Sequence, residues 1–257
     1  MAVAILAAGH AAESAAPAPC PDVFDRTLQV IAVDEKLDFA LADGRIGRLP
    51  GLDFGRGDHA AGARATFVQW LVGRDVAAAD PVEKTDRWGR LSLWLAAPAG
   101  AGSPATASLA ETALAAGLAR YRPDAAARPC RARLLAAEAQ ARTARRGIWA
   151  HAPVILAEDR AGIVGAPPGM SVVEGKVASL GDATGRIYVN FGSVRAVDFA
   201  FTISRRNLTI LEALGVEAQN LVGRHVRVRG LIDRRFGPQM EITSADAIEL
   251  LDERKAP

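Results

Sequence analysis

The residues that could hold a polyanion are concentrated in the last third of this sequence. Arginines crowd one predicted hairpin, where the candidate nucleic-acid-binding residues are Arg227, Arg229, Arg234 and Arg235. Arg227 and Arg229 stand two positions apart, so they point to the same face of a strand. Because small barrels bind single-stranded nucleic acid with a basic groove and exposed aromatic side chains, nucleic-acid binding is one hypothesis for this region.

The same region allows a different arrangement. Aromatic residues recur along the neighbouring predicted strands, at Tyr188, Phe191, Phe199, Phe201 and Phe236. Aromatic side chains that alternate along a strand usually fill a barrel interior. In that case the arginines face solvent or contact the preceding part of the chain, and both arrangements stay open. The tryptophans lie in periodic apolar patterns and are predicted to pack against the core: Trp70, Trp88, Trp94 and Trp149.

The cysteines and histidines indicate no zinc site. The four histidines are scattered without ligand spacing. The two cysteines, Cys20 and Cys130, would form one disulfide in an oxidising compartment, tying the N-terminal arm down. The alternative is two unrelated thiols.

The net charge and the N-terminal residues indicate the kind of partner and the cellular compartment. The 257 residues carry a formal charge of +2, which permits a polyanionic partner without requiring one. Residues 1–20 combine a short apolar run with small residues, as in a secretion signal, or form a disordered tail. We therefore expect a periplasmic or secreted bacterial protein. No stretch is long and apolar enough to span a bilayer, so we expect no integral membrane segment.

Periodicity predicts a β-rich α+β protein with two modules. In the first module, residues 25–152, a three-stranded meander over 26–52 is followed by a helix at 60–72 and a strand pair around 86–96. Two further helices are predicted at 108–119 and 131–149. Residues 153–169 have prolines and glycines without a sustained period and are predicted to be a linker. Five strands and one helix over 170–252 are typical of a small OB-like barrel.

Three stretches of the first module together resemble the staphylococcal-nuclease (thermonuclease) family. They are Arg48-Leu49-Pro50-Gly51-Leu52-Asp53, Asp86-Arg87-Trp88-Gly89-Arg90, and the helix Ala137–Arg142 with Arg146-Gly147-Ile148-Trp149, in the family's order. The resemblance covers about Arg26 to Ala150 and implies an OB-fold barrel with helices. The second module resembles the trailing domain of some bacterial members.

The resemblance also implies a chemistry, calcium-dependent phosphodiester cleavage. It places Arg48 and Arg90 on the family's two phosphate-binding arginines and Asp53 on a calcium carboxylate. These residue types suit the task, because a guanidinium fork matches a phosphate and hard cations take carboxylate oxygens.

Two departures from the family pattern weaken that expectation. Lys36 falls on a metal-ligand position and Arg56 on the general base, and a guanidinium cannot accept a proton near neutral pH. Glu35 or Asp58 could replace the missing acid, or could be ordinary surface acids.

The sequence thus predicts an exported thermonuclease-family protein with impaired phosphodiesterase activity that acts as a binding or scaffolding module. No cofactor is expected, and the partner is nucleic acid or an envelope protein. The alternative is an active nuclease that uses Ca²⁺ in a rearranged site.

Overall fold

A computed structural model describes residues 19–79, 85–98, 107–183, 185–194, 196–213, 215 and 217–251. The protein is β-rich α+β, as predicted. Its strands are β1 (Arg26–Val33), β2 (Phe39–Leu41), β3 (Ile46–Arg48), β4 (Leu52–Asp53), β5 (Arg74–Ala78), β6 (Arg90–Ser92), β7 (Arg120–Tyr121), β8 (Ile155–Leu156), β9 (Met170–Lys176), β10 (Ser179–Ala183), β11 (Arg186–Asn190), β12 (Ala200–Ser204), β13 (His225–Asp233), β14 (Gln239–Glu241) and β15 (Ile248–Leu250). Its helices are α1 (Asp58–Leu71), α2 (Leu109–Ala115), α3 (Arg131–Thr143), α4 (Ile148–His151), α5 (Arg160–Gly165) and α6 (Thr209–Ala213).

Five strands form an N-terminal sheet in the order β5-β1-β2-β3-β6. The predicted meander is confirmed, since β1, β2 and β3 are consecutive antiparallel neighbours. Asp34 fixes the first turn, because its carboxylate accepts hydrogen bonds from the backbone N–H groups of Lys36 and Asp38. Strand β6 lies parallel to β3, and a bridge between Leu95 and Ala78 brings the following segment back to β5.

Helix α1 closes one side of this sheet with a row of apolar residues. Phe67 and Leu71 are four positions apart and both are fully buried, as expected for one face of a helix. The ring of Phe67 packs edge-on against Phe39 of β2, with centroids 6.0 Å apart. Replacing a buried phenylalanine by alanine costs about 3–5 kcal/mol, so Phe67→Ala would remove much of the link between helix and sheet.

Helix α3 ends earlier than the prediction of 131–149. It stops at Thr143, and Arg145 and Gly147 follow with left-handed φ values of 50° and 51°. A Cβ on Gly147 would lie 2.2 Å from the carbonyl oxygen of Gly117, so only glycine fits there. The chain then starts α4, whose first N–H, on Ile148, donates to that same carbonyl.

Eight strands form a C-terminal sheet, in the order β10-β11-β12-β14-β13-β9-β8 with β15 paired to β13. The segment 153–169, predicted as a linker, contributes β8 and α5. The predicted hairpin turn at residues 234–238 joins β13 to its antiparallel neighbour β14. Phe199 and Phe201 are buried in a second core, whereas Phe236 at the hairpin turn is exposed.

The described residues leave the OB-fold and the secretion signal as predictions. Among the described residues neither sheet closes completely into a barrel, so the OB-fold is not confirmed. Residues 1–18 of the predicted secretion signal, and residues 99–106 between the predicted strand pair and the helix predicted at 108–119, lie outside the described residues. No helix in the described ranges is long and apolar enough to cross a membrane.

Candidate functional site

The parallel pairing of β3 with β6 brings Arg48 and Arg90 to one cavity of about 220 Å³. Asp86, in the turn before β6, lies between the two guanidinium groups. Its Oδ2 is 2.8 Å from Nη2 of Arg90 and 3.5 Å from Nε of Arg48. The two arginines that the resemblance selected are therefore neighbours, and they share a carboxylate of this same chain.

Each arginine has a second carboxylate partner as well. Nη1 of Arg90 donates to both carboxylate oxygens of Asp38, at 3.1 and 3.0 Å. Nη1 of Arg48 lies 2.7 Å from Oδ2 of Asp124. Asp124 caps a short 3-10 helix, Ala125–Cys130, which holds its carboxylate beside Arg48.

These contacts change the pKa of the acids in a consistent direction. Burial raises the pKa of Asp86, but hydrogen bonds from the side chain and backbone of Arg90 more than offset it and lower the pKa to about 2. Burial likewise raises the pKa of Asp124, and the guanidinium of Arg48 outweighs it, so the net change is a lowering. Asp86 and Asp124 are therefore ionised at neutral pH, and they neutralise the arginines.

The remaining expected site residues are spread around this cavity. Glu35, Lys36 and Asp53 line it, whereas Arg56 lines the neighbouring cavities. Asp58 lies in the first turn of α1. The Oδ2 atom of Asp53 is buried and has no hydrogen-bond partner among the described residues.

The residues of this site do not fit a calcium ion. Asp38, Asp86 and Asp124 are each bound to an arginine, and calcium requires several carboxylate or carbonyl oxygens free to converge on one point. No group of three or more histidine, cysteine or acidic residues in the described ranges has the geometry to hold a metal.

Trp88 was expected to pack against the core, and that expectation was wrong. Its side chain is 62% exposed, whereas Trp94 and Trp149 are buried and Trp70 is partly buried. Trp88 forms the outer edge of the candidate site. The guanidinium carbons of Arg87 and Arg90 lie 4.0 and 4.8 Å from its ring centroid, within the range of a cation–π contact.

The two arginines of β13 point to one face of the strand and form ion pairs with carboxylates of the same chain. Arg227 pairs with Glu174 and Glu249, with nitrogen–oxygen distances of 2.7 and 3.2 Å. Arg229 is completely buried and pairs with Glu138 of α3. Arg229 therefore contacts the preceding part of the chain, as in the second sequence-based arrangement, and is out of reach of a nucleic acid.

The other two arginines of the hairpin also contact groups of the same chain. Arg234 donates to the carbonyl groups of Ile163 and Ala166, at 3.0 and 2.7 Å. Arg235 is exposed and pairs with Asp233. Arg235 is therefore accessible, but its charge is compensated by Asp233.

Cys20 and Cys130 form a disulfide across a sequence separation of 110 residues. The bond attaches the chain just before β1 to the residue that precedes α3. It therefore anchors the N-terminal arm on the helical side of the first core.

Sequence reasoning missed the acids that complete the site. The spacing of Asp86 and Arg90 in Asp-Arg-Trp-Gly-Arg could have indicated an i,i+4 pair. The contact between Asp38 and Arg90 spans 52 residues and has no local sequence pattern.

Neither the models of known protein families nor the curated proteins include a match to this chain.

Proposed function

We propose that this chain is an exported thermonuclease-family protein with impaired phosphodiesterase activity, which acts as a binding module for single-stranded nucleic acid. The observation that carries the proposal is the neutralisation of Arg48 and Arg90 by three carboxylates of the same chain. The meander, the parallel β6 and the return of the chain to β5 support an SNase-like OB-fold for the first module. The C-terminal sheet supports a second OB-like module.

The neutralised arginines argue against efficient catalysis. A phosphate would have to displace Asp38, Asp86 or Asp124 before it could reach both guanidinium groups. With arginine at position 56, the family's general base is also missing, and the loss of such a base costs about 10²- to 10⁴-fold in rate. The alternative remains an active calcium-dependent nuclease with a rearranged acid set.

Nucleic-acid binding rests on the exposed Trp88. An exposed indole beside two arginines offers a surface on which a base can stack while a backbone phosphate approaches a guanidinium. Stacking on an aromatic side chain contributes about 1–3 kcal/mol per base and tolerates any sequence. The Cys20–Cys130 bond supports export, since such bonds persist in oxidising compartments.

The test combines binding with cleavage. End-labelled single-stranded and duplex DNA and RNA are incubated with the protein in excess Ca²⁺ and in chelator, alongside Arg90→Ala. We expect no metal-dependent cleavage, and salt-dependent binding of single strands that Trp88→Ala weakens. Phe236→Ala is the control, since it removes another exposed aromatic side chain, from the β13–β14 hairpin.

Two results would contradict the proposal. Metal-dependent cleavage that Arg90→Ala abolishes would support the alternative of an active nuclease. Binding that is equally weakened by Trp88→Ala and Phe236→Ala, or no binding at all, would remove the stacking site and point to an envelope-protein partner. Fractionation of cells that express the full chain tests export, which requires the mature protein outside the cytoplasm.

A further inference from the structure

A second cavity, of about 580 Å³, lies between the N-terminal and C-terminal sheets, beside the Arg48–Arg90 site. Residues from both parts of the chain line it. Those that matter for the argument are Asp53, Arg56, Arg122, Met170, Leu231 and Glu241. Its volume is sufficient for a small organic molecule. The family resemblance singled out Asp53 and Arg56, but no sequence pattern brought them together with Arg122 and the C-terminal residues.

Two arginines line the cavity without a hydrogen-bond or ion-pair partner among the described residues, and Arg122 helps to lower the pKa of Asp124. Arg56 and Arg122 are both exposed, and their side chains make no hydrogen bond or ion pair with any residue that the structure describes. Gly55 and Gly57, on either side of Arg56, both have left-handed φ values, which place that side chain on a sharp bend of the backbone. Asp124 is itself paired with Arg48 at 2.7 Å, so neither exposed guanidinium is held in an ion pair that a ligand would have to break.

Most acids around the cavity are already paired. Asp233 is held by Arg235 at 2.7 Å, and Glu241 lies 3.7 Å from Arg186. Asp53 is the remaining acid in the cavity wall, and it is the direct neighbour of Arg120 across the β4–β7 pair. The guanidinium of Arg120 is buried and donates to the carbonyl groups of Met170 and Ala152, and Asp53 interacts with its charge. The charges of the groups that line the cavity therefore favour the binding of an anion.

Part of the wall on the C-terminal side is apolar. Met170 and Leu231 are direct neighbours across the β9–β13 pair. The side chain of Leu231 is 68% exposed, so it offers apolar surface to a ligand. An apolar group placed against these two side chains would remove their surface from water.

We propose that this cavity binds a phosphate monoester with an apolar substituent. The guanidinium groups of Arg56 and Arg122 hold the phosphate, and the substituent packs against Met170 and Leu231. A monoester carries a charge of about −1.5 to −2 near neutral pH, which suits two guanidinium groups better than a single carboxylate does. This site is separate from the stacking site at Trp88 and goes beyond the proposed function.

The experiment is calorimetric titration of the full chain with phenyl phosphate, inorganic phosphate and phenol. We expect phenyl phosphate to bind most tightly and phenol not to bind. Arg56→Gln and Arg122→Gln should each weaken phenyl phosphate binding about tenfold, because each removes charge-assisted hydrogen bonds. Arg74→Gln is the control, since it makes the same charge change at an exposed position outside the cavity.

A further variant separates the two parts of the ligand. Leu231→Ser should weaken binding of phenyl phosphate and leave inorganic phosphate unchanged, because Leu231 contacts only the apolar substituent. Circular dichroism checks that each variant is folded. Trp88→Ala should not affect phenyl phosphate, so a failure of this site is distinguishable from a failure of the nucleic-acid site.

Three results would overturn the proposal. The first is a lack of saturable binding of phenyl phosphate to the folded protein. The second is equal weakening by Arg74→Gln and by the cavity variants, which would show a general effect of net charge. The third is binding that depends on Arg48 and Arg90 instead of Arg56 and Arg122, which would place the anion in the neighbouring site.

Discussion

Arg229 of β13 and Glu138 of α3 form a completely buried, bidentate ion pair between the C-terminal sheet and a helix of the first module. Nη1 and Nη2 of Arg229 donate to Oε1 and Oε2 of Glu138, at 3.0 and 3.1 Å. Glu138 also accepts the backbone N–H of Tyr121, and Arg229 donates to the carbonyl of that residue. Burial lowers the pKa of Arg229, but Glu138 and Glu249 outweigh it, so the net change is a rise and the guanidinium stays charged.

Removing one member of this pair should be strongly destabilising. Arg229→Met leaves the buried carboxylate of Glu138 with only the more distant guanidinium of Arg142, at 3.4 Å, and breaking a buried ion pair costs about 3–5 kcal/mol. Changing both residues, as Arg229→Met with Glu138→Met, should recover part of the loss, because the buried carboxylate of Glu138 is then removed together with its main cation. Urea unfolding measures both values.

Arg160→Gln provides the comparison for this prediction. It breaks the more exposed pair with Asp198, and we expect a change within about 1 kcal/mol. If Arg229→Met cost no more than Arg160→Gln, the buried pair would not be holding the two parts of the protein together.

Reduction of the Cys20–Cys130 disulfide should lower thermal stability. The bond closes a loop of 110 residues, and the chain-entropy model gives about 4–5 kcal/mol for a loop of this size. Differential scanning calorimetry with and without reductant measures the shift in Tm. The double variant Cys20→Ser/Cys130→Ser should have a lowered Tm that reductant leaves unchanged, and a further decrease would implicate another effect of the reductant.

Asp86 should titrate well below an ordinary aspartate. Its pKa is lowered from 3.8 to about 2 in the folded protein. Its interactions therefore stabilise the fold fully above pH ~4, and that contribution is lost as the pH falls towards ~2. An NMR titration of the carboxyl carbon measures the pKa, and Arg90→Gln should move it up towards 3.8. An unchanged pKa in that variant would show that Arg90 is not the cause.

Removing the charge of Asp86 should strengthen binding of single-stranded DNA. Asp86→Asn leaves both arginines with one carboxylate fewer, while the amide oxygen can still accept the turn hydrogen bonds from Trp88 and Arg90. Each additional phosphate contact should steepen the dependence of log K on log salt by about 0.7. Fluorescence titration at several salt concentrations provides the measurement.

Asp43→Asn is the matched control for that experiment. Asp43 is an exposed acid paired with Arg45 in the β2–β3 turn, so the substitution makes the same change in net charge outside the candidate site. An equal increase in affinity for both variants would show that only net charge matters and that Arg48 and Arg90 are not released.

The sequence by itself determined the local structure. The β-rich α+β class, the three-stranded meander and helix α1 follow from apolar periodicity and turn residues, which act over a few positions. The short strands β8 and β15 went unpredicted because two or three residues carry no measurable period. The end of α3 was misplaced because a close approach of Gly117 to Gly147 decides it.

Only the tertiary structure decided what the charged residues do. Arg48 and Arg90 were identified by resemblance, but their partners Asp38 and Asp124 come from distant segments. The sequence left open whether Arg229 binds a nucleic acid, faces solvent or contacts the preceding part of the chain, and its contact with Glu138, 91 positions away, decides this. Whether an arginine binds a ligand or a carboxylate of its own chain depends on which groups folding brings within a few ångströms, because the interaction of two charges is set by their distance and burial.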